Sequence, residues 1–325
     1  MKQRVGQWFG RLKPLLGLAL LAVVAKQVDW AEIRGLLREG DYTGLVLAAL
    51  CFLAALGGLQ YQRLHLLVAE YTGSWLNTLR VFLIGVFFNN LLPSNVGGDA
   101  VRLLYLRNLA GGEWARPLSM LMLHRLSGLG VMLGLYAVYM LLFGGRFLAA
   151  LANVELGWSV PTWVLWAGLT GACVVAGGLT VLVTVTELGA RLQQRMAKFV
   201  GTFKRALQSL SMGRRLALVL WTIGFHGCRV LAFHLALTYF GADVPMLDLI
   251  PVLTFVAVCA LVPITVGGLG LMEGSVAVGL GLFGVSPSVA VAVALVQRLA
   301  MLLLALLGGL TYVLERGRQA VSDPA

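Results

Sequence analysis

Leu92-Pro93-Ser94-Asn95-Val96-Gly97-Gly98 and Val262-Pro263-Ile264-Thr265-Val266-Gly267-Gly268 are the two stretches whose reading decides the fold. Each interrupts an apolar region, and the pattern Pro-x-x-Val-Gly-Gly recurs with its prolines 170 positions apart. Proline ends a helical arm and frees a carbonyl. A Gly-Gly pair permits positive φ and close backbone approach. Taken singly, either stretch reads as a tight turn between two transmembrane helices. The flanks argue for a repeat. Arg63 lies 30 positions before Pro93 and Arg229 lies 34 before Pro263, while Arg125 and Arg298 follow the same prolines by 32 and 35. Both of the latter open an Arg-Leu pair.

Working outward, the apolar arms beside these turns are Leu79 to Leu92 with Val96 to Leu109, and Leu247 to Val262 with Leu269 to Phe283. An arm of about 14 residues makes about 21 Å of helix, short of a bilayer core about 30 Å thick. Each pair is therefore expected to form a re-entrant hairpin. Irregular backbone at membrane depth survives only where protein or a water-filled cavity satisfies its polar groups. Two fully crossing arms per pair, giving ten spans, would carry the same loop charges, and arm length favours the re-entrant form. Five other runs are long enough to cross: Gly44 to Leu67, Pro117 to Phe143, Pro161 to Val185, Leu216 to Phe240 and Pro287 to Leu314. A shorter run from Leu15 to Val24 is read as a retained anchor, because no small-x-small cleavage site precedes Lys26.

Composition agrees. Of 325 residues, 59% are hydrophobic and 12% charged, with a mean hydropathy of +0.87. Soluble domains average roughly 45–50% and 25%, so a water-soluble enzyme and a disordered chain are both excluded. Unbroken apolar runs speak against a β-barrel, whose strands alternate. The four cysteines lie inside apolar runs with no CxxC spacing, and no zinc motif, Walker loop or HExxH is present. No metal, cofactor or catalytic residue is expected. The net charge of +11 reads as basic cytoplasmic loops facing anionic lipid, with no nucleic-acid partner.

Loop charges orient the chain. Lys2, Arg4, Arg11 and Lys13 place the N-terminus inside, the basic loop 187–215 lies inside, and Arg316 and Arg318 keep the tail there. The mixed stretch from Lys26 to Asp41 and the loop from Gly241 to Asp248 suit the outside. The expected architecture is a single all-α polytopic membrane domain over 1–325, with about six full spans plus two re-entrant hairpins and both termini inside. Half one covers about 44–143 and half two about 216–314. Three spans separate the hairpins, so they enter from opposite faces as an inverted repeat, the plan of many secondary transporters.

Arginine at a helix centre costs roughly 2.5–3.5 kcal/mol on the insertion scale. Arg229 and Arg298 lie near the centres of their runs, and His124-Arg125 lies about two turns into its own. Asp99 and Glu273 are the nearby carboxylates, and Asp99 and Arg102 at i,i+3 are placed to pair. That leaves Arg63, Arg125, Arg229 and Arg298 short of partners, so the missing anion is expected to come with a substrate. Guanidinium binds phosphate with two hydrogen bonds. For Arg63 and Arg102, near run ends, snorkelling or a tie to backbone carbonyls explains the charge equally well.

Phe87-Phe88-Asn89-Asn90-Leu91-Leu92-Pro93-Ser94-Asn95-Val96-Gly97-Gly98-Asp99-Ala100-Val101-Arg102 resembles a signature of the flippase-like transmembrane region of lysylphosphatidylglycerol synthases. Pro263 to Glu273 resembles that family's second signature, and the likeness runs over roughly Leu15 to Leu314. It implies movement of a modified phospholipid between leaflets. Bifunctional members add a C-terminal aminoacyl-transferase domain; this sequence stops at Ala325, so lipid synthesis is not expected. The expected function is a flippase-like transporter in the cell inner membrane, carrying an anionic or modified phospholipid or a lipid-linked glycan. Arg125, Arg229 and Arg298, with His124 and Arg63, would hold phosphate. Asn89, Asn90, Asn95, Asp99, Arg102, Thr265 and Glu273 would line gates turning on Pro93, Gly97, Gly98, Pro263, Gly267 and Gly268. Two other readings stay open: a non-transporting scaffold for a separately encoded soluble or membrane transferase, and a membrane enzyme using Asp99 or Glu273 as a base.

Overall fold

The computed structural model describes residues 21–23, 25, 26, 28–39, 42–92, 97–152, 201, 203–261 and 265–322. The expected runs Leu15 to Val24 (except 21–23) and Pro161 to Val185, the loop 187–200 and the turn residues Pro93, Asn95 and Pro263 lie outside them. The described residues form helices and no strand. They are α1 (Trp30–Glu39), α2 (Thr43–Thr72), α3 (Trp75–Leu91), α4 (Gly97–Leu109), α5 (Ala115–Ala152), α6 (Met212–Tyr239), α7 (Leu249–Cys259), α8 (Leu271–Gly281) and α9 (Pro287–Ser322). A short helical segment over 203–209 precedes α6.

Helices α2, α5, α6 and α9 are long and apolar enough to cross a membrane. Their ends follow local chemistry. Gly73, at φ 65°, stops α2 in the left-handed conformation, which costs glycine nothing. Ser74 then caps α3 by accepting from Asn77 N at 3.2 Å, and Ser211 caps α6 by accepting from Arg214 N. Within α2, residues Ala54–Leu59 widen into a π-helical turn. Leu304 of α9 fills the groove there, 3.1 Å from where a Cβ on Gly57 would stand.

Both broken segments fold as antiparallel helix pairs. In the first, Arg102 Nη2 donates to Phe82 O at 3.1 Å, and a Cβ on Gly98 would overlap the carbonyl oxygen of Gly85. In the second, a Cβ on Gly279 would lie 2.8 Å from Val252. Their arms hold 17, 13, 11 and 11 residues, each short of the roughly 20 that cross a bilayer.

The packing repeats as the sequence does. Helix α3 packs on α9, and its counterpart α7 packs on α5; α4 lies against α5 as α8 lies against α9. The counterparts α2 and α6 pack on one another and run antiparallel: Gly44 meets Tyr239, the rings of Phe52 and Phe233 stand 5.3 Å apart edge to face, and Arg63 lies over Phe225. The tips of the two hairpins touch, since a Cβ on Gly267 would come within 3.1 Å of Asn90 O.

Two expectations change. The stretch from Lys26 to Asp41 is not a plain loop: α1 docks on the bundle with Val28 and Ile33 buried. Asp248, expected in an outer loop, is buried and accepts a 2.8 Å hydrogen bond from the Tyr139 hydroxyl. Both follow from amphipathic short-range patterns that acquire a partner only in the fold.

Among the described glycines, the closest approach of another helix is at Gly308, where a Cβ would overlap the carbonyl oxygen of Leu83. Gly308→Leu is expected to lower the thermal midpoint in detergent by an amount matching about 1–3 kcal/mol or more of overpacking. Gly134→Ala, where nothing lies within reach of the new methyl, is expected to leave it unchanged.

Candidate functional site

The intramembrane arginines divide into two kinds. Arg298 on α9 is fully engaged. Its Nε donates to Glu273 Oε1 at 2.7 Å, Nη1 to Gly267 O at 2.8 Å and Nη2 to Gly268 O at 3.2 Å. Glu273 Oε2 in turn accepts from Gly270 N at 2.8 Å, so the carboxylate also caps the first turn of α8. Gly267 and Gly268 hold φ of 56° and 72°, which turns both carbonyls toward the guanidinium. A residue with a Cβ would be strained at either position.

The first half carries the same device in altered form. Asp99 sits in the first turn of α4. It accepts from Arg102 Nη1 at 3.0 Å and forms a short ion pair with Arg125 Nε from α5. Arg102 also lies over the Phe82 ring and bonds the Phe82 carbonyl. The expectation that Arg125 and Arg298 lack partners is thus corrected: each meets a carboxylate from the hairpin that its own helix follows. Arg102 and Arg63 do not snorkel either, at 6% and 2% exposure. Both instead tie helices through backbone carbonyls, the other reading open for them: Arg63 to His124 O and Arg102 to Phe82 O.

Arg63 and Arg229 are the second kind. They come from the paired helices α2 and α6 and flank one aromatic ring, Phe225, at 5.2 and 5.7 Å from its centroid. Arg63 Nη2 donates to His124 O at 2.8 Å and Ser127 Oγ at 3.3 Å. Neither guanidinium has a carboxylate partner among the described residues, and neither Nε has a hydrogen-bond partner. His226 stands between helices with Nε2 on Gly128 O at 2.9 Å and Nδ1 without a partner. His124 Nε2 lies 3.4 Å from Gln60 O. Gly128 lets the cluster close, since a Cβ there would fall 2.9 Å from Arg63 Nη2.

A family model for the lysylphosphatidylglycerol synthase transmembrane region matches residues 11–309. The chain belongs to that family. A UPF0104 membrane protein from Methanothermobacter thermautotrophicus is 24% identical over 325 aligned positions, covering 89% of this chain and 90% of the relative. No solved structure matches the chain. The match spans both hairpins, α2, α5, α6 and α9 as far as residue 309, so every residue of the two clamps and of the Phe225 cluster falls inside the family region.

The structure therefore separates what the sequence grouped. Glu273, Gly267, Gly268 and Arg298 form one clamp; Asp99, Arg102 and Arg125 form the other. Asn90 Nδ2 bonds Val86 O within its own helix, and its backbone abuts the opposite hairpin tip. Asn89 Oδ1 and Thr265 Oγ1 are buried near the two turns without hydrogen-bond partners. Sequence reasoning did not single out Phe225, Ser127 or Gly128. Phe225 stands four residues before Arg229 on one helix face, a spacing that was readable; Ser127 and Gly128 carry no local signal. Among the described residues no group of three or more His, Cys, Asp or Glu is placed to hold a metal ion.

Breaking a buried ion pair from one side costs about 3–5 kcal/mol, because a charge is left uncompensated. Glu273→Ala is accordingly expected to lose most monodisperse protein on size exclusion. The double change Glu273→Ala with Arg298→Met is expected to recover only part of it: no charge is stranded, but the Gly267 and Gly268 carbonyls and Gly270 N lose their partners.

Proposed function

We propose that this protein is a flippase-like lipid transporter of the cell inner membrane, moving a phosphate-bearing lipid between leaflets. The observation that carries the reading is the arginine pair on Phe225. Two buried guanidinium groups from the paired helices each lie over the Phe225 ring, with no carboxylate partner among the described residues. Burial without a counter-charge is expensive. Cation–π contact returns only about 0.5–2 kcal/mol. A lipid phosphate would bring negative charge and acceptor oxygens to this cluster and its idle N–H groups. In this reading Arg63 and Arg229 are the phosphate ligands, with His226 and Ser127 beside them. Arg125 and Arg298 act instead by holding the hairpins.

The architecture fits the chemistry. The antiparallel packing of α2 on α6, with matching neighbours in each half, supports two inverted halves related by an axis in the membrane plane. The short arms support re-entrant hairpins whose tips meet at the middle. The many basic residues around the α6 N-terminus favour that face as cytoplasmic. Rocking of one half against the other would then present the arginine pair to each leaflet in turn, with no covalent chemistry.

Arg229→Gln is expected to reduce transfer of a fluorescent phosphatidylglycerol across proteoliposomes at least tenfold, with expression and thermal midpoint retained. The loss of one charged hydrogen-bonding group, about 1.5–3 kcal/mol, sets that size. Transfer at the wild-type rate would refute the phosphate role. Wild-type protein that moves no lipid, but co-purifies with a transferase, would point to a scaffold instead.

A further inference from the structure

The Phe225 cluster carries one group that a phosphate alone does not use. His226, on α6, is buried, and its Nε2 lies 2.9 Å from Gly128 O on α5. A carbonyl oxygen only accepts, so Nε2 is the donor of this bond. The other nitrogen of a neutral imidazole is then an acceptor. That nitrogen, Nδ1, is buried without a hydrogen-bond partner. The tie to Gly128 needs a donor and nothing more, so it leaves the acceptor unexplained.

The ring is held inside the cluster. It meets the Phe225 ring edge to face, with centroids 4.9 Å apart, and Arg63 and Arg229 lie over that same Phe225 ring. Gly128, which takes the Nε2 bond, also borders Arg63, whose Nη2 would stand 2.9 Å from a Cβ there. Arg229 follows His226 by three positions on α6, a spacing that makes the two side chains neighbours. Three buried polar atoms of the cluster therefore lack a partner: Nε of Arg63, Nε of Arg229 and Nδ1 of His226. Two are donors and one is an acceptor. A phosphodiester answers the donors, but it has no proton to offer Nδ1. Two guanidinium groups beside the ring oppose a further positive charge on it, so Nδ1 stays an acceptor.

We infer that His226 reads the lipid headgroup, with Nδ1 accepting a hydrogen bond from a hydroxyl carried next to the phosphate. The inference rests on the transporter reading given above and narrows its substrate to phospholipids with a polyol headgroup, of which glycerol is the simplest. An ammonium group also donates, but it would add a cation beside Arg63 and Arg229, where an uncharged hydroxyl adds none. A headgroup that ends in methyl groups has no donor and leaves Nδ1 stranded. A site built to bond a substrate hydroxyl rejects the analogue that lacks it, because the buried partner is then left unpaired.

The test compares two fluorescent lipids of equal charge and equal acyl chains, phosphatidylglycerol and phosphatidylmethanol, which differ in whether the headgroup carries hydroxyls. Each is offered to the full chain in proteoliposomes, and the ratio of the two transfer rates is the readout. The wild-type ratio is expected to favour phosphatidylglycerol by about fivefold or more. His226→Leu is expected to bring it to about one, since the acceptor is gone. His226→Gln has an amide that donates to Gly128 O and still accepts at Oε1, and it is expected to keep the ratio above about twofold. Phosphatidylethanolamine, whose donor is an ammonium, is expected to move more slowly than phosphatidylglycerol. A His226 that only ties α6 to α5 would change both rates together and leave their ratio fixed. An equal ratio in wild type and His226→Leu therefore overturns the inference. So does a wild-type ratio near one, a result that needs no variant to fold, and so does faster transfer of phosphatidylethanolamine than of phosphatidylglycerol. Native mass spectrometry of the detergent-purified protein, offered both lipids at equal concentration, reads retention without transport. Protein that moves neither lipid but retains phosphatidylglycerol over phosphatidylmethanol by the same margin refutes the transporter reading and keeps the role of His226. Equal retention of the two, or retention of neither, overturns that role as well.

Discussion

The bond set around Arg298 is the constraint on which the second half depends. One guanidinium closes a hairpin by holding a carboxylate from the next helix and two glycine carbonyls from the turn. The turn has no other way to satisfy those carbonyls at depth, because hydrocarbon offers no donors. Glycine is required there for its positive φ, and glutamate three residues after Gly270 finishes the helix start. The glycine pair, the carboxylate and the arginine are thus parts of one device, and losing any one exposes the polar atoms of the rest.

The first half reaches the same end with a different wiring. Asp99 is shorter than Glu273 and is shared by two arginines, one local and one from α5. Arg102 takes over the link to a backbone carbonyl, that of Phe82. The two halves therefore share a principle rather than contacts: each hairpin is held around one carboxylate, by two arginines in the first half and one in the second. Against this background the pair at Phe225 stands apart, with two cations and no carboxylate partner among the described residues.

Much of this was legible in the chain. The spacing of the proline-glycine motifs gave the repeat, and the position of arginines in apolar runs marked residues that needed partners. Arg298 shows where that reasoning stops. It lies 25 residues from Glu273, and no helical periodicity relates the two; only the return of α8 against α9 brings them together. Arg63, near the end of its apolar run, left snorkelling and a carbonyl tie both open, and the fold chose the tie: the helix continues to Thr72 and Arg63 bonds His124 O. Asp248 entered the sequence reading only as one of two charges in an outer loop, and no local pattern announced that Tyr139 from a distant helix bonds it.

By itself the sequence determined that the chain is helical, membrane-embedded, doubled about two broken hairpins and burdened with buried arginine. Those properties follow from run length, composition and local backbone chemistry, which act over a few residues. Which arginines are satisfied, and which two remain around Phe225, was decided by tertiary structure alone. Pairing depends on distance and direction between side chains on different helices, and these are fixed only when the helices pack.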